Sequence, residues 1–207
     1  MANKPLPSPD ELRQLLTYDP GTGKLFWKER PASMFRDGAY NNAASRCRQW
    51  NARYAGNEAI TADCNGYRYG NISKRSVYAH RIAWAIYHGH HPSGMIDHIN
   101  GVKHDNRICN LREASAQQNM WNSKPRRGTS QFKGVRFTKG AWQASIMANG
   151  ETTALGRFSC EIDAARAYDR AAIFLHGPYA RINLPDEATL RSLPRPNSGG
   201  ILDLQQT

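Results

Sequence analysis

The chain has 207 residues, 40% of them hydrophobic, and a formal net charge of +11 at pH 7. That length suits one or two ordinary domains with real cores, while the lack of any long apolar run and of a signal-type opening excludes a membrane span and makes a soluble, cytoplasmic protein the expectation. Positive charge peaks between residues 61 and 127, where ten Lys/Arg face four Asp/Glu; with no basic amphipathic helix to suit a membrane surface, nucleic acid is the expected partner.

The first element signal is "SPDELRQLL". Ser8 is placed to cap, Pro9 fits a first turn, and Glu11 reaches back in a capping box, with Leu12, Leu15 and Leu16 forming one apolar stripe. "DPGTG" turns the chain into a short strand, "KLFWK". Residues 31–53, rich in Arg, Asn and aromatics, read as irregular. From Ala59 the alternation in "AITADCNGYRYGNISKRSVYAH" predicts an antiparallel meander turning at Asn-Gly and Ser-Lys-Arg. "AHRIAWAIYHG" follows as a helix ending at Gly89.

The stretch "MIDHINGVKHDNRICNLREASAQQN", residues 95–119, carries the chemistry. An apolar Met95–Ile96 ending at Asp97-His98 suits a short buried strand that delivers two polar side chains. "NGVKHDNRIC" is a long polar loop, "NLREAS" a returning strand, and "AQQNMWN" a helical turn or two. Cys47, Cys64, Cys109 and Cys160 are too scattered for paired zinc spacing, so free thiols and no zinc are expected.

"NSKPRRGTS", residues 122–130, reads as a basic linker whose nine or so residues stretch to roughly 30 Å. Beyond it three strands alternate. Val135 and Phe137, then Trp142, Ala144 and Ile146, then Thr153 and Leu155 share one face, and Asn149-Gly150 signals a tight hairpin. Ser159 is placed to cap a helix with Glu161 and Asp163 in its first turn. That helix buries Ala164, Ala165, Tyr168, Ala171, Ala172 and Leu175 and stops at Gly177-Pro178.

Residues 77–122, with "DH", "NL", a helical Asn and the lead-in "YAHRIAW", resemble the HNH nucleases of phage homing type, in the HNN variant. The resemblance implies a ββα-metal unit that hydrolyses phosphodiesters. His98 would be the base that takes a proton from water, and Asn110 would orient its imidazole. Asp97 and Asn119 would give hard oxygens to one Mg²⁺ or Mn²⁺. His80 matches a family-typical histidine that either supports the site or contacts backbone. Arg112, Arg126 and Arg127 are phosphate candidates.

"GVR", "LGRF", "AARAYDRAA" and "GPYARINLP" resemble the plant ethylene-response-factor (APETALA-type) domain, which lays a sheet face in the major groove of double-stranded DNA. The matching outward positions are Lys133, Arg136, Thr138, Ser145, Met147, Thr152 and Ala154. Only Arg136 clearly matches a base-reading arginine, which implies a looser or different sequence preference.

The expected architecture is therefore α+β. An N-terminal helix, strand and irregular region (1–58) precedes an HNH core (59–121), the linker (122–130), a three-stranded antiparallel sheet packed on one helix (131–185) and a tail (186–207). The implied function is a metal-dependent DNA endonuclease. One active site per chain implies nicking by a monomer, or a double-strand cut when two chains cooperate. The alternative is a non-catalytic DNA-binding regulator. The resemblance also suggests a phage or prophage protein acting in a host cell.

Overall fold

The computed structural model describes residues 6–125 and 127–185; Arg126 and the expected tail, 186–207, lie outside the described residues. The chain divides into two compact units at Ser115–Ala116.

In the first unit α1 (Pro9–Leu15) starts with the expected capping box. Glu11 N donates to Ser8 Oγ, and the Glu11 carboxylate accepts from Ser8 N. The Leu16 backbone is already extended, so the apolar stripe runs out of the helix into β1 (Leu16–Asp19). β1 pairs with β2 (Lys24–Trp27), and β2 pairs with β3 (Glu58–Ala59). Ala59 therefore belongs to this sheet, and the meander begins after it, as β4 (Ala62–Cys64), β5 (Tyr67–Ile72) and β6 (Arg75–Tyr78). Its turns, Asn65-Gly66 and Ser73-Lys74, take positive φ at both residues, as two-residue hairpins demand.

The expectation of an irregular 31–53 is corrected by α2 (Ala43–Tyr54), capped by Asn42, whose Oδ1 accepts from Ser45 N. No residue of α2 is buried, so it offers no apolar period to read. It is pinned by polar and aromatic contacts to Arg30. Asn51 Oδ1 accepts from Arg30 N and Asn51 Nδ2 donates to Arg30 O, while the Arg30 guanidinium lies 3.8 Å from the Trp50 ring centroid.

α3 (Ala79–His88) ends at Gly89 in the left-handed region, and Arg13 Nη2 donates to the Ile86 carbonyl near its C-terminus. Its apolar face closes the main core of this unit, with Leu12, Leu16, Leu25, Ile72, Val77 and Ile82 each 5% exposed or less. Burial on that scale contributes about 1.5–3 kcal/mol per large side chain. β7 (Met95–His98) and β8 (Leu111–Ala114) then form a hairpin over a smaller cluster of Ala83, Ile96 and Leu111.

The second unit opens with α4 (Ala116–Trp121) and continues with β9 (Val135–Thr138), β10 (Ala141–Ala148) and β11 (Glu151–Phe158), ordered β11-β10-β9. α5 (Glu161–His176) packs on this sheet through Ala164, Ala165, Tyr168 and Ala172. Its N-cap is Cys160, with no side-chain capping bond, so the expected Ser159 cap is corrected. Leu175 is 39% exposed and His176 is buried in its stead, its Nε2 bonded to the Met147 carbonyl. Phe137 and Thr153, expected inside, are exposed, and Phe137 meets Trp142 edge-on at 5.0 Å. Gly134 stands at φ +74°, and a Cβ there would strike the Tyr168 ring, so only glycine lets β9 start this close to α5.

Candidate nuclease site and nucleic-acid interface

The β7–β8 register places Asp97 opposite Arg112 and His98 opposite Leu111. Ile96 points into the apolar cluster and draws the strand end inward, so Asp97 and His98 are 5% and 4% exposed. A buried carboxylate needs compensation. Arg112 supplies it, with Nε and Nη2 donating to Asp97 Oδ2 at 2.8 and 2.6 Å. The sequence reading gave Arg112 to phosphate; in this structure its guanidinium neutralises Asp97.

Asn106 Oδ1 lies 3.1 Å from His98 Nε2, within hydrogen-bond reach of the buried ring. Asn106, which the sequence did not single out, is thus a partner of the ring for which Asn110 was expected. Asn110 Oδ1 accepts from Asn100 N, and its Nδ2 donates to the Asp105 carbonyl. Together with Ile99 N donating to its carbonyl, Asn110 ties both limbs of the loop. Asp105 receives Arg107 on both oxygens, which holds its carboxyl down at about 2.

The His98 ring sits among aromatics. His80 meets it edge-on at 5.2 Å, Tyr67 lies 5.8 Å away, and Tyr78 stacks on His80. Burial is the main cause that pushes both histidines below their ordinary range, His80 to about 3, with neighbouring charge from His98 and Arg81 adding to it. His80 Nδ1 is buried with no hydrogen-bond partner.

Asn119 lies on α4, and α4 is fastened within the second unit. Lys133 Nζ donates to the carbonyls of Met120, Trp121 and Ser123, and Trp121 stacks on His176 at 4.4 Å. Lys133, expected to face DNA, has its ammonium turned to these carbonyls. Its ammonium caps the end of α4, and burial lowers its pKa to about 8.

The other expected positions share one face of the sheet. Arg136 and Thr138 on β9, Ser145 and Met147 on β10, and Thr152 and Ala154 on β11 point the same way, because a bulge at Leu155 restores the alternation. The register adds two residues that the sequence reading missed. Arg136, Gln143 and Arg157 form a row across all three strands, and Arg136 Nε donates to Gln143 Oε1. Arg157 was hidden because counting by twos along β11 fails at the bulge. Arg127 is exposed beyond α4.

Residues 77–121 match the family model described as HNH endonuclease. A protein named as an uncharacterized HNH endonuclease of Acanthamoeba polyphaga mimivirus is 36% identical over 110 residues, covering 52% of this chain and 57% of that protein. APETALA2-like protein 2 of Oryza sativa subsp. indica is 40% identical over 81 residues, covering 37% of this chain and 19% of that protein. Dehydration-responsive element-binding protein 2D of Arabidopsis thaliana is 40% identical over 88 residues, covering 40% and 42%.

The chain joins an HNH-type segment to an APETALA2-like segment. It spans less than two thirds of each of these relatives. The matched HNH segment contains His80, Asp97, His98, Asn106, Asn110 and Asn119. Among the described residues no three His, Cys, Asp or Glu side chains gather as a metal cluster. Nor, among the described residues, is any helix long and apolar enough to cross a membrane.

Proposed function

We propose that the protein is a metal-dependent DNA endonuclease that hydrolyses phosphodiester bonds and is positioned on duplex DNA by its APETALA2-like sheet. The observation that carries this reading is the buried Asp97–His98 pair at the end of β7, with the imidazole held by Asn106. A hydrogen-bonded, neutral imidazole is equipped to take a proton from water. Burial lowers the pKa of His98, which keeps it unprotonated at neutral pH.

The residues fit one hard divalent ion. Asp97 offers a carboxylate whose charge Arg112 now compensates, and oxygen donors suit Mg²⁺ or Mn²⁺. Bound there, the ion would stabilise charge on the phosphate and the leaving oxygen. The family pattern assigns a second oxygen to Asn119. DNA binding rests on the Arg136–Gln143–Arg157 row, which presents donors and an amide on one exposed face. One such centre per chain makes a nick the elementary product.

The test is plasmid nicking by the full chain and by His98→Ala, with Mg²⁺, Mn²⁺ and EDTA lanes. Metal-dependent nicking lost in the variant is the expected result. Plasmid binding without cutting by either protein, across metals and sequences, would instead favour the non-catalytic regulator.

A further inference from the structure

α2 has no place in the nuclease or sheet readings, yet it is an unusual helix. It carries Arg46, Arg48 and Arg53, contains no Asp or Glu, and buries no residue. A helix without a buried face needs another reason to be ordered. Part of that reason is the pin to Arg30, whose guanidinium sits between Trp27 and Trp50 at 5.2 and 3.8 Å from the ring centroids. With 3.6 residues per turn, Cys47, Trp50, Asn51 and Tyr54 share the pinned side. Ser45, Gln49 and Ala52 share the opposite side, with Arg46 and Arg53 along one flank and Arg48 on the other.

None of the three arginines has an ion pair among the described residues. Arg46 Nη1 donates to the Arg36 carbonyl, Arg53 lies 5.3 Å from the Tyr54 ring centroid, and Arg48 is exposed without a partner. The nearby carboxylate, Asp37, accepts from Ala43 N at the start of the helix. A rigidly mounted helix thus presents the uncharged side chains of Ser45, Gln49 and Ala52 fringed by uncompensated cations.

We propose that α2 is a second DNA-contacting element, in which Arg46, Arg48 and Arg53 bind backbone phosphates of the duplex. The uncharged outward side chains set no carboxylate against the phosphates, and the aromatic pin holds the arginines in register. The contact is to backbone, so it adds affinity and carries no sequence preference. It rests on the reading that DNA is the partner, but it is independent of cleavage.

The test uses the full chain carrying His98→Ala, so that nothing is cut, and a mixed-sequence fluorescein-labelled duplex titrated across salt in EDTA. Each phosphate neutralised contributes about 0.9 to the slope of log K against log salt, so Arg46→Gln, Arg48→Gln and Arg53→Gln together flatten it by about 2.7. Lys74→Gln, Arg166→Gln and Arg170→Gln remove the same charge elsewhere and leave the slope near that of the parent. Should the arginine triple variant melt early, Gln49→Glu with Ala52→Glu keeps the arginines and weakens binding by repulsion. Equal slopes for the two triple variants, or undiminished binding by the glutamate variant, overturn the proposal for α2. A parent that binds no duplex even at low salt overturns the DNA reading as a whole, and α2 with it.

Discussion

Tyr18 Oη donates to the Asn106 carbonyl at 2.7 Å, so the N-terminal hairpin grips the residue that holds the His98 imidazole. Two further contacts reinforce the grip. Ile108 N donates to the Pro20 carbonyl, and Gly23, at φ +75°, lies so near the Asn106–Arg107 backbone that a Cβ there would collide with it. The loop is therefore shaped by a segment well outside the HNH match.

Removing that grip gives the first expectation. Tyr18→Phe loses one half-buried hydrogen bond, about 1 kcal/mol of stability. Because Asn106 then holds His98 less firmly, nicking slows by more than the small loss of fold explains. Measured at a temperature where both proteins are folded, cleavage falls while duplex affinity stays at the wild-type level. Unchanged cleavage would separate the hairpin from the chemistry.

Arg112 and Asp97 form a buried pair, and breaking it from one side strands a carboxylate. Arg112→Met is expected to cost about 3 kcal/mol in EDTA. Mg²⁺ then has an uncompensated anion to meet, so it raises the melting temperature of Arg112→Met more than that of wild type. Melting curves with and without the ion decide this, and equal shifts in both proteins would argue that Asp97 is not a ligand.

His80 gives a pH dependence whose sign follows from its burial. Its ordinary value is 6.5 and the folded value about 3, so the unfolded chain takes up a proton that the folded one refuses. Stability is thus full above about pH 6.5 and falls progressively toward pH 3. The loss over that window is on the order of a few kcal/mol. His80→Phe should flatten the acid limb of a plot of melting temperature against pH, and an unaltered limb would assign acid sensitivity to other groups.

Arg157 is expected to contact DNA although the linear pattern did not disclose it. If it reads a base, Arg157→Ala costs roughly 1–3 kcal/mol of discrimination and relaxes preference at one position of a selected site. Selection from a randomised duplex pool, with wild type and variant in parallel, measures this. A uniform loss across all sequences would make Arg157 a phosphate contact.

These residues also mark what was legible in the sequence. Caps and periods were readable: the Ser8–Glu11 box, the hairpin turns after Cys64, Ile72 and Ala148, and the end of α3 at Gly89 all appear where local chemistry put them. The Asp97–His98 strand end and the returning strand after Asn110 were readable for the same reason. α2 was not, because a helix fixed by Trp50 and Asn51 around an arginine has no apolar stripe. Asn106 was missed because its partner is fixed by a loop folding onto a distant turn, and nothing local distinguishes it from Asn100 or Asn110. The carbonyls that hold the Lys133 ammonium at the end of α4 leave no mark in the linear pattern.

The close approach of Gly23 to the Asn106–Arg107 backbone bears on portability. Residues 77–121 are the part that family comparison would lift out and graft onto another scaffold. Such a graft would carry every letter of the motif and leave behind the wall against which its loop is moulded. A graft that keeps the shape of this loop therefore has to carry the Leu16–Trp27 hairpin along with the motif.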